Sequence, residues 1–191
     1  HQWWWEVRYT SGAIAANEIH IPAGRRLVMA VQCADVVHDF WVPDLARKID
    51  ATSGHPVSIW LQADHPGTYL GTCAEYCGAE HAWMRILVVA DSPADFAAWE
   101  KQQLEPAPPP RDAAASRGLA VFRRKTCQNC HDVEGAAAGA RVEPVPTHLA
   151  GRRTLGFGVR VNNPENLPKW LVRPSAWKPE RHMPDVQLND G

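Results

Sequence analysis

No stretch of this sequence approaches the ~20 consecutive apolar residues that a membrane-spanning helix requires, so none is read in it. An excess of one charge is missing too. Twenty Lys and Arg stand against twenty-one Asp and Glu, a formal net of −1, which argues against strong nucleic-acid binding. Cysteine is sparse: five residues in 191, as two close pairs and one single. That is not a disulfide scaffold for a chain of this size, and it points to cysteine used for chemistry. With 45% apolar and 21% charged residues, disorder of the whole chain is excluded, and the length suits two domains of about 100 residues.

The near-zero charge conceals an asymmetry. Residues 1–102 hold seven Lys/Arg and twelve Asp/Glu, a net of −5; residues 103–191 hold thirteen and nine, a net of +4. Two modules that attract one another, or different partners, are expected from this, with an attraction that weakens as salt rises. Tryptophan is abundant, nine residues, three of them consecutive at Trp3, Trp4 and Trp5. Trp favours positions where an apolar body meets a wet edge, as at a membrane interface. With His rather than Met at position 1, the chain reads as a segment from which an N-terminal membrane anchor has been removed.

The first half reads as β structure. Arg26–Gln32, Val57–Gln62, Gly67–Thr72 and Arg85–Ala90 are strand-like, with turn residues between them, which suggests a sandwich or small barrel. A helix follows, capped by Ser92, with Pro93 at its first position, Asp95 completing a capping box, and Phe96 and Trp99 on the packing face. Residues 103–111 hold four prolines and form a stiff linker. Beyond it, helices are expected over Asp112–Lys125, with Leu119 and Phe122 on one face, and over Leu167–Val172, stopped by Pro174. So little regular structure over about 80 residues calls for an internal support such as a cofactor.

Residues 73–84 reduce to Cys-x3-Cys-x3-His-x2-Met: Cys73, Cys77, His81 and Met84. A thiolate, a His and a Met on one loop, with a second His upstream, is the blue-copper ligand pattern, and soft donors on a β scaffold favour copper. His38 is the upstream candidate. The additional cysteine allows two thiolates to bridge two copper ions. Each ion then takes one imidazole, from His38 or His81, and one weak ligand, from Met84 or a backbone carbonyl of the loop. Structural zinc, a Cys73–Cys77 disulfide and a mononuclear copper site with Cys73 idle are the alternatives.

Together with His1–Trp5, Asp35–Pro43 and Lys48–Ala51, this loop makes the first ~100 residues resemble the extramembrane copper domain of cytochrome c oxidase subunit II. The resemblance implies an all-β, cupredoxin-like Greek-key barrel over residues 1–102 and a dinuclear copper centre, CuA. It implies His38, Cys73, the carbonyl of Glu75, Cys77, His81 and Met84 as ligands. It further implies that the Glu75 side chain reaches a magnesium ion at the subunit I interface and that electrons arrive through Trp3.

The second half opens with Cys127-Gln128-Asn129-Cys130-His131, the Cys-x-x-Cys-His motif of covalent haem c, in which His131 binds iron. A thioredoxin-like pair is the alternative. Met183, the single Met of this half, is the expected opposite axial ligand, with His182 and His148 as rivals. The motif, Asn163–Leu167, Lys169–Leu171 and His182–Pro184 resemble the class I cytochrome c domain fused to subunit II in caa3-type oxidases. A mainly α cytochrome c domain is implied over residues 112–191, although the sequence stops at Gly191, before the family's C-terminal helix.

The combined resemblance implies an electron-transfer subunit of a terminal respiratory oxidase, an oxidoreductase complex that pumps protons. Electrons would pass from an external donor such as a cytochrome c, through haem c and CuA, to haem a of subunit I. The partners implied are subunit I and other oxidase subunits, and the location is the extracytoplasmic (periplasmic) face of the membrane, with N-terminal transmembrane helices as anchor. A subunit of another haem-copper enzyme, such as nitric oxide reductase, and a free diffusible carrier are the competing readings. Cys33 belongs to neither motif and is expected to be a buried packing residue.

Overall fold

The computed structural model describes residues 1–131, 146–156, 158–186 and 188. Nine strands occupy the β-rich part: β1 (Glu6–Arg8), β2 (Ile14–Ala16), β3 (Glu18–Pro22), β4 (Leu27–Val31), β5 (His38–Trp41), β6 (Ile49–Ala51), β7 (Val57–Leu61), β8 (Gly67–Cys73) and β9 (Arg85–Asp91). The order β3-β9-β8-β5-β6 makes one five-stranded sheet, with β3 and β9 parallel and the other pairs antiparallel. β4 with β7, and β1 with β2, form separate antiparallel ribbons. The result is a cupredoxin-like curled sheet.

Alternation fixes which faces turn inward. In β7, Ile59 and Leu61 are buried while Trp60 stays exposed, with the Arg26 guanidinium over its ring at 4.7 Å. In β9, Ile86, Val88 and Ala90 join the core with Phe40, Val42 and Met84. Val89 points the other way and is buried as well, because the helix α1 (Pro93–Leu104) packs on β3 and β9. Ser92 caps α1: its hydroxyl accepts from the Asp95 N–H at 3.2 Å and donates to the Asp95 carboxylate at 2.6 Å. Trp99 stacks on His20 at 4.2 Å and meets Tyr9 at 5.1 Å, so the face carrying Phe96 and Trp99 is the docked one.

Residues 105–112 carry no regular structure. Beyond them lie α2 (Ala113–Arg124), the two-residue strands β10 (Thr154–Leu155) and β11 (Arg160–Val161), and α3 (Asn166–Val172). Asp112 caps α2, its carboxylate accepting from the Ala115 N–H at 2.8 Å. Both helices fall within a residue of the expected bounds. No residue of α2 is buried, and the apolar face at Leu119 and Phe122 is only half-covered. The last residues, 189–191, on which the expectation of an absent C-terminal helix bears, lie outside the described ones. No described helix is long and apolar enough to cross a membrane.

One glycine is required by space. β8 passes so close to the end of β5 that a Cβ on Gly71 would lie 2.4 Å from the Trp41 carbonyl oxygen and 2.8 Å from a Val42 methyl. Backbone cannot yield as a flexible side chain can. Gly71→Ala is therefore expected to cost about 1–3 kcal/mol. Urea unfolding should show a lower midpoint at unchanged slope, and an unchanged midpoint would refute the close approach.

Candidate metal centre

Strand register brings the donors together. β5 and β8 pair with Phe40 opposite Cys73, so His38 at the start of β5 and Cys73 at the end of β8 lie at the same end of the sheet. The chain then leaves the sheet and returns as β9. The Cys73 N–H donates to the Met84 carbonyl at 2.9 Å and closes the neck of the loop. Inside it, a short 3-10 turn over His81–Trp83 turns the His81 ring toward the sulfurs. Gly78 permits the bend: its φ is +117°, and a Cβ there would meet Gln2 Nε2 and the Trp3 ring at 3.0 Å.

The six expected donors converge. Cys73 Sγ lies 3.8 Å from Cys77 Sγ, 3.9 Å from His38 Nδ1 and 3.2 Å from the Glu75 carbonyl oxygen. Cys77 Sγ lies 3.5 Å from His81 Nδ1 and 3.8 Å from Met84 Sδ. His38, Cys73, Cys77 and Met84 are all buried. Two sulfurs and two imidazoles alone would also suit a tetrahedral zinc ion. A buried thioether and a carbonyl that each touch a different sulfur exceed what one four-coordinate ion uses. The donor set fits two soft ions sharing the sulfurs.

The surroundings tune these groups. Burial pushes the His38 imidazole below its ordinary pKa, outweighing its contact with Asp35, so the ring is held neutral and ready to ligate. Its far nitrogen, Nε2, lies 2.9 Å from Asp35 Oδ1, the carboxylate partner that orients a ligating histidine. Burial alone would raise Asp35, but hydrogen bonds from His38 and from the Gln2 N–H outweigh it and leave the carboxyl below its ordinary range. Asp39 is pushed up to about 6 by burial and by the carboxyl of Asp50, its cross-strand partner. Burial, and next the neighbouring Cys73, push the Cys77 thiol up to about 12.

The remaining expected residues lie around this loop or beyond it. Trp3 Nε1 and Gln2 Nε2 both donate to the Cys77 carbonyl, at 3.0 and 2.7 Å, and the Trp3 ring lies 5.3 Å from the His182 ring. The Glu75 side chain is exposed. Cys127, Cys130 and His131 follow α2 in a tight turn, where the Cys130 and His131 N–H groups both donate to the Cys127 carbonyl. Met183 arrives on a separate stretch, beside His182. The rival His148 donates through Nε2 to the Glu105 carbonyl at 3.0 Å. Cys33 is half-exposed rather than buried, at the edge of the core, with its thiol donating to the Val36 carbonyl at 2.6 Å. Sequence reasoning assigned no role to Asp35 or Glu80; their partners are set by the fold.

Comparison with known proteins places these observations. Residues 11–91 match the sequence family described as cytochrome c oxidase subunit II, periplasmic domain. Cytochrome c oxidase subunit 2 of Alkalihalophilus pseudofirmus is 36% identical over 185 residues, covering 96% of this chain and 53% of that protein. The Bacillus subtilis protein of the same name is 31% identical over 190 residues, covering 95% and 53%. The crystal structure of the periplasmic domain of subunit II of cytochrome oxidase from Bradyrhizobium japonicum superposes with a TM-score of 0.52 at 28% identity, over 53% of this chain and 86% of that one. The chain spans about half the length of the curated relatives it matches.

The raised thiol gives a pH-dependent prediction. Below about 12 the metal-free Cys77 holds its proton, and a thiophilic ion must displace it. Affinity for copper should therefore rise with pH, about tenfold per unit for each proton released. Chelator-competition titrations between about pH 6 and 8, with proton release followed in weak buffer, check this; binding that is flat with pH would contradict it.

Proposed function

We propose that this chain, whose first part is of the cytochrome c oxidase subunit II periplasmic type, is the extracytoplasmic electron-transfer part of a caa3-type oxidase subunit II. Its cupredoxin-like part spans residues 1–102, a proline-rich linker residues 103–111 and a cytochrome c part residues 112–191. The observation that carries the reading is the pair of buried sulfurs 3.8 Å apart, each with its own imidazole and its own weak oxygen or sulfur neighbour. When bound, a pair of copper ions would supply fast one-electron relay there, with Cys73 and Cys77 as the thiolates that would hold both.

In this reading His38, Cys73, the Glu75 carbonyl, Cys77, His81 and Met84 hold the coppers. The chain's own contribution is rigidity and exclusion of water. Asp35 fixes the His38 ring, and Trp5 closes on it edge-on at 5.9 Å. Gln2 and Trp3 clamp the Cys77 carbonyl. Trp3, half-buried at the rim, is the residue through which electrons arrive. The exposed Glu75 side chain is available to a magnesium ion shared with subunit I, which carries haem a.

Cys127 and Cys130 would hold haem c, and His131 and Met183 would offer the donors for its iron. Two features support this: the half-covered apolar face of α2, which leads into the motif, and alignments with oxidase subunits that run through both halves of the chain. A cytochrome c or equivalent external donor serves as the source of electrons, and N-terminal helices anchor the whole to the membrane.

Paramagnetic resonance of the oxidised, copper-loaded chain tests the centre. A seven-line copper hyperfine pattern is expected, changing to a four-line pattern in Cys73→Ser; four lines in the fully loaded wild type would rule out shared sulfurs. Optical spectra test the haem. The weak far-red band of Met-ligated ferric haem should be present and should vanish in Met183→Ala, and its persistence would move the assignment to His182.

A further inference from the structure

Two carboxylates of the β-rich part are buried at the junction with the C-terminal half, and both turn toward it. Glu80 belongs to the 73–84 loop, next to His81. Its Oε2 pairs with Lys178 Nζ at 3.1 Å, and the side chains are only 1% and 3% exposed. Its Oε1 accepts from the Glu180 N–H at 2.9 Å. Glu18, at the start of β3, accepts from the N–H groups of Arg153 and Thr154, each at 2.8 Å, and from the Thr154 hydroxyl at 3.2 Å. A nearby side-chain contact, Arg153 Nη1 to Thr68 Oγ1 at 2.7 Å, runs in parallel.

Buried carboxylates are costly unless paired and hydrogen-bonded. Here the compensation comes from residues 98 or more positions away, on the other half of the chain. Undocking would leave Lys178 and Glu80 without each other and Glu18 without its backbone donors. Directly beyond Glu180 come Arg181, His182 and Met183, and the His182 ring lies against Trp3. Trp3 in turn donates to the carbonyl of Cys77.

We propose that Glu80, Lys178 and Glu18 are positioning residues that form a two-point clasp, fixing residues 178–183 across the rim of the sulfur site so that the His182–Trp3–Cys77 contact is permanent. The half carrying Cys127 and Met183 is then a docked partner with one orientation rather than a tethered one that must find its place. Buried pairs are screened far less than surface charges. Transfer between the two halves should therefore be nearly independent of salt, in contrast to the behaviour expected from the opposite net charges of the halves. The functional consequence rests on the proposed copper and haem reading; the clasp itself does not.

The test uses the full chain with its metals bound and three variants: Lys178→Met, Glu80→Gln and the double variant. Lys178→Met removes the ammonium that faces the buried Glu80 carboxylate, and Glu80→Gln removes the carboxylate charge that faces the ammonium. Each should lower amide-exchange protection over residues 178–183 by about a hundredfold. Each should also make flash-induced haem-to-copper transfer slower and salt-dependent between about 10 and 500 mM. The double variant removes both charges while the Gln carbonyl keeps an acceptor for the Glu180 N–H. It should restore protection and salt independence, a rescue that a merely structural loss would not show. Protection and salt response of wild type in both single variants would overturn the clasp, as would a wild-type rate that falls steeply with salt. If the copper and haem signatures are missing from wild type, the functional reading fails, while the exchange measurement still decides the clasp.

Discussion

The separation of the Cys73 and Cys77 sulfurs is the constraint on which the rest of the site depends. Two thiols at 3.8 Å in a dry pocket are costly to ionise, first because they are buried and next because they repel, and both push the Cys77 thiol up. The loop must therefore be held in place without help from the sulfurs. Closure at its neck by the Cys73–Met84 backbone bond does this, as do the His81–Trp83 turn and the two donors on the Cys77 carbonyl. Gly71 serves the same end from below. By letting β8 press against β5, it sets the height at which Cys73 leaves the sheet beside His38.

What could be read from the sequence follows from range. Cys73, Cys77, His81 and Met84 fall within twelve residues, so their spacing alone announces a shared ligand loop. The helix start at Ser92 is equally plain, because capping is settled within four residues. His38 stands 35 residues before the loop, so the blue-copper pattern with its second, upstream His makes it a candidate where local spacing does not. β1, β2 and β6 are three residues long, too short for any period to register, and in β3 a buried Glu18 breaks the usual link between charge and exposure. Glu80 and Lys178 were invisible for the same reason. Each is a surface residue by type, and only a contact across 98 positions makes it interior.

That contact also revises the meaning of the charge asymmetry. A net of −5 against +4 invites a picture of two bodies drawn together through solvent. Such attraction acts over about a Debye length and orients weakly. The contacts at the junction are different in kind: one buried ion pair and three backbone N–H groups donated to carboxylates. Backbone donors carry no net charge and a narrow angular preference, so they select an orientation where the net charges could select only proximity. The asymmetry can bring the halves together, but these bonds decide how they meet.

Within the 73–84 loop, two acidic residues five positions apart have opposite surroundings. Glu80 is buried against the C-terminal half, whereas Glu75 is exposed and its neighbour Tyr76 remains 75% exposed. Trp83, 42% exposed, adds a second aromatic to the open rim. The neck and the turn fix the backbone at both positions relative to the same two sulfurs, through the Cys73–Met84 bond and the contact of the Glu75 carbonyl with Cys73. In the proposed reading this makes the loop a rigid spacer. One side chain takes hold of the chain's own C-terminal half and the other is left for a neighbouring subunit, so that donor and acceptor are both positioned from the ligand loop itself.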